Sequence, residues 1–134
     1  MAQLNTLNAY GSGFQTKVLN SLMRHKEFLQ NISDAVEPEM FDSPASQWIV
    51  KEVLRYYYKY HTTPSLEFLQ IEVKKIDNEV LKVAVAEQVK EALKSANEDR
   101  EYIEQEFSNF CKNQQLKKAL LNSVELLSKG HFED

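Results

Sequence analysis

Sixteen Lys and Arg against twenty Asp and Glu give this chain of 134 residues a formal net charge of −4, with 43% hydrophobic residues, three Gly and three Pro. At this length roughly two-thirds of the unfolded surface can be buried, so a single globular domain with a real core is expected, while so few Gly and Pro disfavour a turn-dense all-β fold. The acidic balance argues against broad, charge-driven nucleic-acid binding but leaves room for a local basic patch. A lone cysteine, Cys111, rules out an internal disulfide. No leading basic-plus-apolar segment and no run of about 18 apolar residues is present, so neither a secretory signal nor a membrane span is expected, and the setting is taken as cytoplasmic.

Met1 to Gly13 show little apolar periodicity around Asn5, Asn8, Gly11 and Gly13. Residues 1–14 are therefore expected to be a flexible arm. From Gln15, Val18, Leu19, Leu22 and Met23 fall at helical spacing; after a charged break at Arg24 to Glu27, Phe28, Leu29, Ile32 and Val36 repeat the pattern, which predicts two short helices. Glu37 to Phe41 is long enough only for a turn. Ser43 then offers an N-cap and Pro44 an N1 residue, so a third helix should run from there to about Tyr60. His61-Thr62-Thr63-Pro64 ends it, and Thr63 with Pro64 is expected to open a fourth helix to about Ile76. Asp77-Asn78 separates a fifth, about Glu79 to Ala96, rich in Ala, Leu, Glu, Lys and Gln. Asn97 to Asp99 breaks the chain again.

Arg100 to Lys129 contains no Gly or Pro and is followed by Gly130 as a ready C′ residue, which predicts one helix of roughly 45 Å. Its apolar face changes part-way. Ile103, Phe107 and Phe110 share one stripe that ends at Gln114, whereas Leu116, Leu120, Val124 and Leu127 form a second stripe rotated by roughly 100°. The first half should close the bundle, and the second half needs another partner. The expected organisation is all-α: a compact bundle of about five helices in 15–98, a long helix in 99–130, and 131–134 as the start of a continuation.

Motifs for chemistry are weak. Gly11-Ser12-Gly13 lacks the Lys and hydroxyl that a phosphate-cradling loop requires. His25, His61 and His131 stand singly, and no ligand spacing surrounds Cys111, so neither a metal nor a cofactor is expected in this chain. His61 at a helix end and Cys111 in mid-helix are read as capping and packing residues. Glu98, Asp99, Glu101, Glu104 and Glu106 crowd the start of the long helix, where the dipole favours them. Tyr56-Tyr57-Tyr58-Lys59-Tyr60 is the most unusual run. With Ile49 as reference, Val53, Tyr56 and Tyr60 share its face and Tyr58 points away. Tyr58 with Arg55 and Lys59 is a candidate contact for a partner or for a base of single-stranded nucleic acid, set against the simpler reading of buried rings with wet hydroxyls.

In order, these elements resemble the N-terminal domain of replicative hexameric DNA helicases of the bacterial DnaB and T-even phage type. The resemblance rests on Val18-Leu19-Asn20-Ser21-Leu22-Met23, on Val36-Glu37-Pro38-Glu39-Met40-Phe41 before the third helix, and on Tyr60-His61-Thr62-Thr63-Pro64-Ser65-Leu66-Glu67-Phe68-Leu69, which is nearer the phage form. It extends through Tyr102 to Leu127 as the first arm of a helical hairpin and covers about Gln15 to Lys129. It implies a non-catalytic collar that pairs with itself as a dimer within a hexamer, docks primase, and meets DNA only indirectly, in a bacterial or phage-infected cell. The second hairpin arm and the ATPase domain, where ATP and Mg would bind, lie outside these residues. Self-association is expected to use Leu116, Leu120, Val124 and Leu127. A stand-alone helical adaptor or helicase loader, a single-stranded DNA binding module and, last, a small-molecule enzyme are the competing expectations.

Overall fold

The computed structural model describes residues 6–95 and 98–129, and every regular element among them is helical. Six α-helices follow one another as α1 (Gly11–Arg24), α2 (Lys26–Ile32), α3 (Pro44–Tyr60), α4 (Leu66–Lys74), α5 (Glu79–Lys94) and α6 (Arg100–Lys129), with short 3-10 turns at Leu7–Tyr10 and Pro38–Met40. The fold is all-α: five helices form the bundle and a long C-terminal helix follows. Local chemistry starts several of them where side chains can satisfy the free N–H groups of a first turn. Ser43 Oγ accepts from the Ser46 amide at 3.0 Å with Pro44 behind it, and Asn78 Oδ1 accepts from Leu81 N at 2.9 Å.

α1 is the central element and packs against α2, α3, α5 and α6. Val18, Leu19 and Leu22 on it are almost fully buried. Its polar residues are used too. Asn20 Nδ2 donates to the Ala92 carbonyl at 2.7 Å, which also accepts from the Ser95 N–H, and Arg24 Nη2 donates to the Leu93 carbonyl at 3.3 Å, so side chains of α1 bind the carbonyl end of α5. Around α1 the core gathers Phe28 and Leu29 from α2, Phe41 before α3, Ile49, Val50 and Val53 from α3, Val85 from α5 and Phe107 from α6. Phe107 is the aromatic hub, with ring centroids 6.1 Å from Phe28, 5.9 Å from Phe41 and 6.4 Å from Phe110.

Three expectations need correction. The arm expected over 1–14 is ordered from the turn Leu7–Tyr10 onward, with Leu7 fully buried and Gly11 already in α1. Asp42 holds it there, accepting from Asn8 Nδ2 at 3.1 Å and Gln15 Nε2 at 2.9 Å, and Gln15 Oε1 accepts in return from the Asp42 amide. Polar residues that resemble a loose tail in sequence are here the partners of a carboxylate about thirty positions away. Residues 1–5, Ala96, Asn97, the Gly130 C′ reading and the continuation at 131–134 lie outside the described residues.

The second correction concerns α4, which opens at Leu66 with Ser65 as its cap, Ser65 Oγ accepting from Phe68 N at 3.1 Å. Thr63 and Pro64 precede it as connecting backbone. The third concerns α3, whose buried face runs through Ile49, Val50, Val53 and Leu54 to a half-buried Tyr57, whereas Tyr60 is exposed and Tyr56 half-buried. α3 is covered on two sides, by α1 and by α5. Its inner face is therefore broader than a single stripe, with Ile49 and Val50 both fully buried. At its end His61 takes φ 59°, ψ 32°, a left-handed C-cap whose N–H donates to the Tyr57 carbonyl at 2.7 Å.

Candidate association surface

α6 divides at Gln114. Up to that point Ile103, Phe107, Phe110, Cys111 and Gln114 are buried against the bundle, and from residue 115 to 129 every position is exposed. The expected second stripe is bare. Leu116, Leu120, Val124 and Leu127 retain 60%, 58%, 62% and 61% of their surface. Isolated exposed leucines are ordinary, but four apolar residues in one row on a projecting helix form a contiguous patch of the kind that marks a contact site.

One ion pair among the described residues ties this projecting half to the body, Lys118 Nζ donating to the Glu37 carboxylate beside the Pro38–Met40 turn. Beneath its first turn lies an open notch of about 640 Å³ between Tyr10 and Asn8 on one wall and Leu116 and Leu120 on the other. Tyr10 stacks on Phe14 at 4.4 Å between ring centroids and meets the edge of Phe110 at 6.0 Å. Burial, followed by the nearby Glu106 charge, raises its phenol above the ordinary value. The base of the stripe is thus continuous with a fixed aromatic wall. Sequence reading missed that wall because Tyr10 lies in the segment taken as a loose arm.

The Tyr58, Arg55 and Lys59 set is close together on one helix, but its polar groups are engaged. Tyr58 keeps 57% of its surface exposed while its hydroxyl donates to the Ser33 carbonyl at 2.6 Å, at the end of α2. Arg55 donates to Glu52 at 2.5 Å and to Glu72 at 2.9 Å, and its guanidinium lies 5.6 Å from the centre of the Phe68 ring. The hydrogen bond to Glu52 leads the causes that hold Arg55 above its ordinary value, and the bond from Lys75 leads those that hold Glu72 below. Lys59 lies 5.4 Å from the Tyr60 ring. A phosphate would have to compete with two carboxylates for Arg55.

The remaining candidates have local roles. Arg100 pairs with Glu104 at 2.8 Å and Lys17 with Asp99 at 3.1 Å, so part of the acidic start of α6 is used in ion pairs as well as by the helix dipole. Burial pushes the Cys111 thiol up to about 12, and its Sγ sits 4.0 Å from Met40 Sδ. It packs as an apolar filler. Burial is also the leading cause that lowers His25, with the Arg100 charge next. Among the described residues no group of three or more His, Cys, Asp or Glu is placed to hold a metal ion, and no helix is long and apolar enough to cross a membrane. Comparison with protein-family models, with characterised proteins and with solved structures finds no match to this chain.

Proposed function

We propose that this chain is the non-catalytic N-terminal collar domain of a replicative hexameric DNA helicase, pairing subunits within the hexamer and docking primase during DNA replication. The observation that carries the reading is the bare row of Leu116, Leu120, Val124 and Leu127 on the half of α6 that leaves the bundle after Gln114. In a helical hairpin that row is the seam where a second arm or a neighbouring copy packs. The resemblance of Gln15 to Lys129 to such helicase domains supplies the identity of the neighbour. The chemistry is association: ATP and Mg belong to a motor domain of the longer protein, and DNA is reached through that motor.

A stand-alone helical adaptor or loader would place the same row against a different protein. A single-stranded DNA module is less well supported, because Arg55 is committed to Glu52 and Glu72. Light scattering of the purified chain across a concentration series separates pairing from the adaptor reading. A dimer or larger species that grows with concentration is expected. A single-chain mass up to several hundred micromolar would overturn pairing through this stripe.

A further inference from the structure

α4 and α5 are joined by only the four residues 75–78 and lie side by side as a helical hairpin. They do not close on each other. Between them runs a groove of about 470 Å³ with Leu69 and Val89 buried in its floor, Val73 and Leu93 half-buried, and Leu66 45% exposed at its mouth. The charged side chains that line it are Lys74 and Lys90. Neither is engaged in an ion pair among the described residues, although Lys75, Lys82, Arg55 and Arg100 are. The groove therefore has an apolar bed and, on its rim, two positive charges that no ion pair among the described residues takes up.

We infer that this groove binds an amphipathic helix of a partner protein that carries apolar residues at i, i+3 and i+7 with acidic residues beside them. A helix fits better than a strand because every regular element described is helical, which leaves no sheet edge to extend. α4, nine residues long, spans roughly 13 Å, enough for two turns of a guest and hence two or three apolar anchors. Lys74 and Lys90 favour an acidic guest and disfavour a basic one, which sets orientation and partner choice more than raw affinity. The site shares no residue with the α6 stripe. It stands whether or not the chain belongs to a helicase.

A fluorescein-labelled helical peptide with leucines at i, i+3 and i+7 and flanking glutamates tests this by anisotropy on the full chain. Saturable binding with a Kd on the order of tens of micromolar is expected, weakened roughly tenfold by Leu66→Asp and by Lys74→Glu with Lys90→Glu. The doubly reversed variant should instead take up the same peptide with lysines in place of glutamates, a switch that a damaged fold would not produce. Leu120→Asp with Val124→Asp should bind the acidic peptide unchanged, which separates this groove from the stripe on α6. Absence of saturation at millimolar protein, or equal binding of both peptides to the wild-type chain, would overturn the proposal. So would a fall in self-associated mass on charge reversal, since the groove would then be an interface between copies.

Discussion

Replacing Leu120 and Val124 together by Asp removes the centre of the row on which association is proposed to depend. The four side chains of that row keep 58% to 62% of their surface, so about three-fifths of each remains to be buried, worth roughly 1–2 kcal/mol apiece out of the roughly 1.5–3 kcal/mol of full burial. Two copies facing one another would gain on the order of 7–14 kcal/mol in gross terms, against an association cost of roughly 4–15 kcal/mol. Deleting half the row withdraws about 4–7 kcal/mol, a factor of roughly 10³ to 10⁵ in Kd, before the cost of desolvating four carboxylates is counted. The fold should be little affected. Both positions are exposed, and exposed substitutions change stability by about 0.5 kcal/mol each, with up to about 0.7 kcal/mol for the poorer helix propensity of Asp. Light scattering should report a single-chain mass at concentrations where the wild type associates, with helical circular dichroism retained. A variant that keeps the wild-type mass would refute the reasoning.

Other consequences are local. Phe107→Ala empties the aromatic hub among Phe28, Phe41 and Phe110 and should cost about 3–5 kcal/mol, lowering the thermal midpoint by on the order of 10–20 °C in a calorimetric scan. His61 sits at φ 59°, so His61→Val should destabilise by about 1 kcal/mol in urea titration while His61→Gly should not, because only the β-branched residue resists the left-handed region. The Cys111 thiol is raised to about 12, so the folded chain holds its proton where the unfolded chain, near 9, releases it. Stability is then independent of this group below pH 9 and falls by up to about 1.4 kcal/mol per pH unit above it, until the folded thiol ionises as well. Denaturant titrations from pH 8 to 11 on the wild type and Cys111→Ala should diverge in that direction, and parallel curves would contradict it.

Legibility from sequence followed the range of the interactions involved. Ser43-Pro44 and Asn78 act on their own helix starts, and the thirty residues of α6 contain no breaker; those boundaries are as the sequence predicts. The change of face after Gln114 was readable because it is a matter of angle along one helix. What escaped depends on distant partners. Asn8 and Gln15 are ordered by Asp42, and nothing near them in sequence announces it. The inner face of α3 depends on α1 and α5 covering it from two sides, so a single stripe through Ile49, Tyr56 and Tyr60 misjudged which tyrosine turns inward. The groove between α4 and α5 exists because two amphipathic helices meet incompletely, and periodicity does not record how far apart two helices stop.

The most direct measurement for the collar assignment is the nucleotide sequence downstream of the codon for Asp134. Translation into a second antiparallel helix, followed by a strand, a G-x-x-x-x-G-K-[ST] loop and a further helix, is the expected result, since that loop would bind the ATP that drives the motor. A stop codon directly after Asp134 would contradict the assignment, and the α6 stripe would then be the partner-binding face of a helical adaptor.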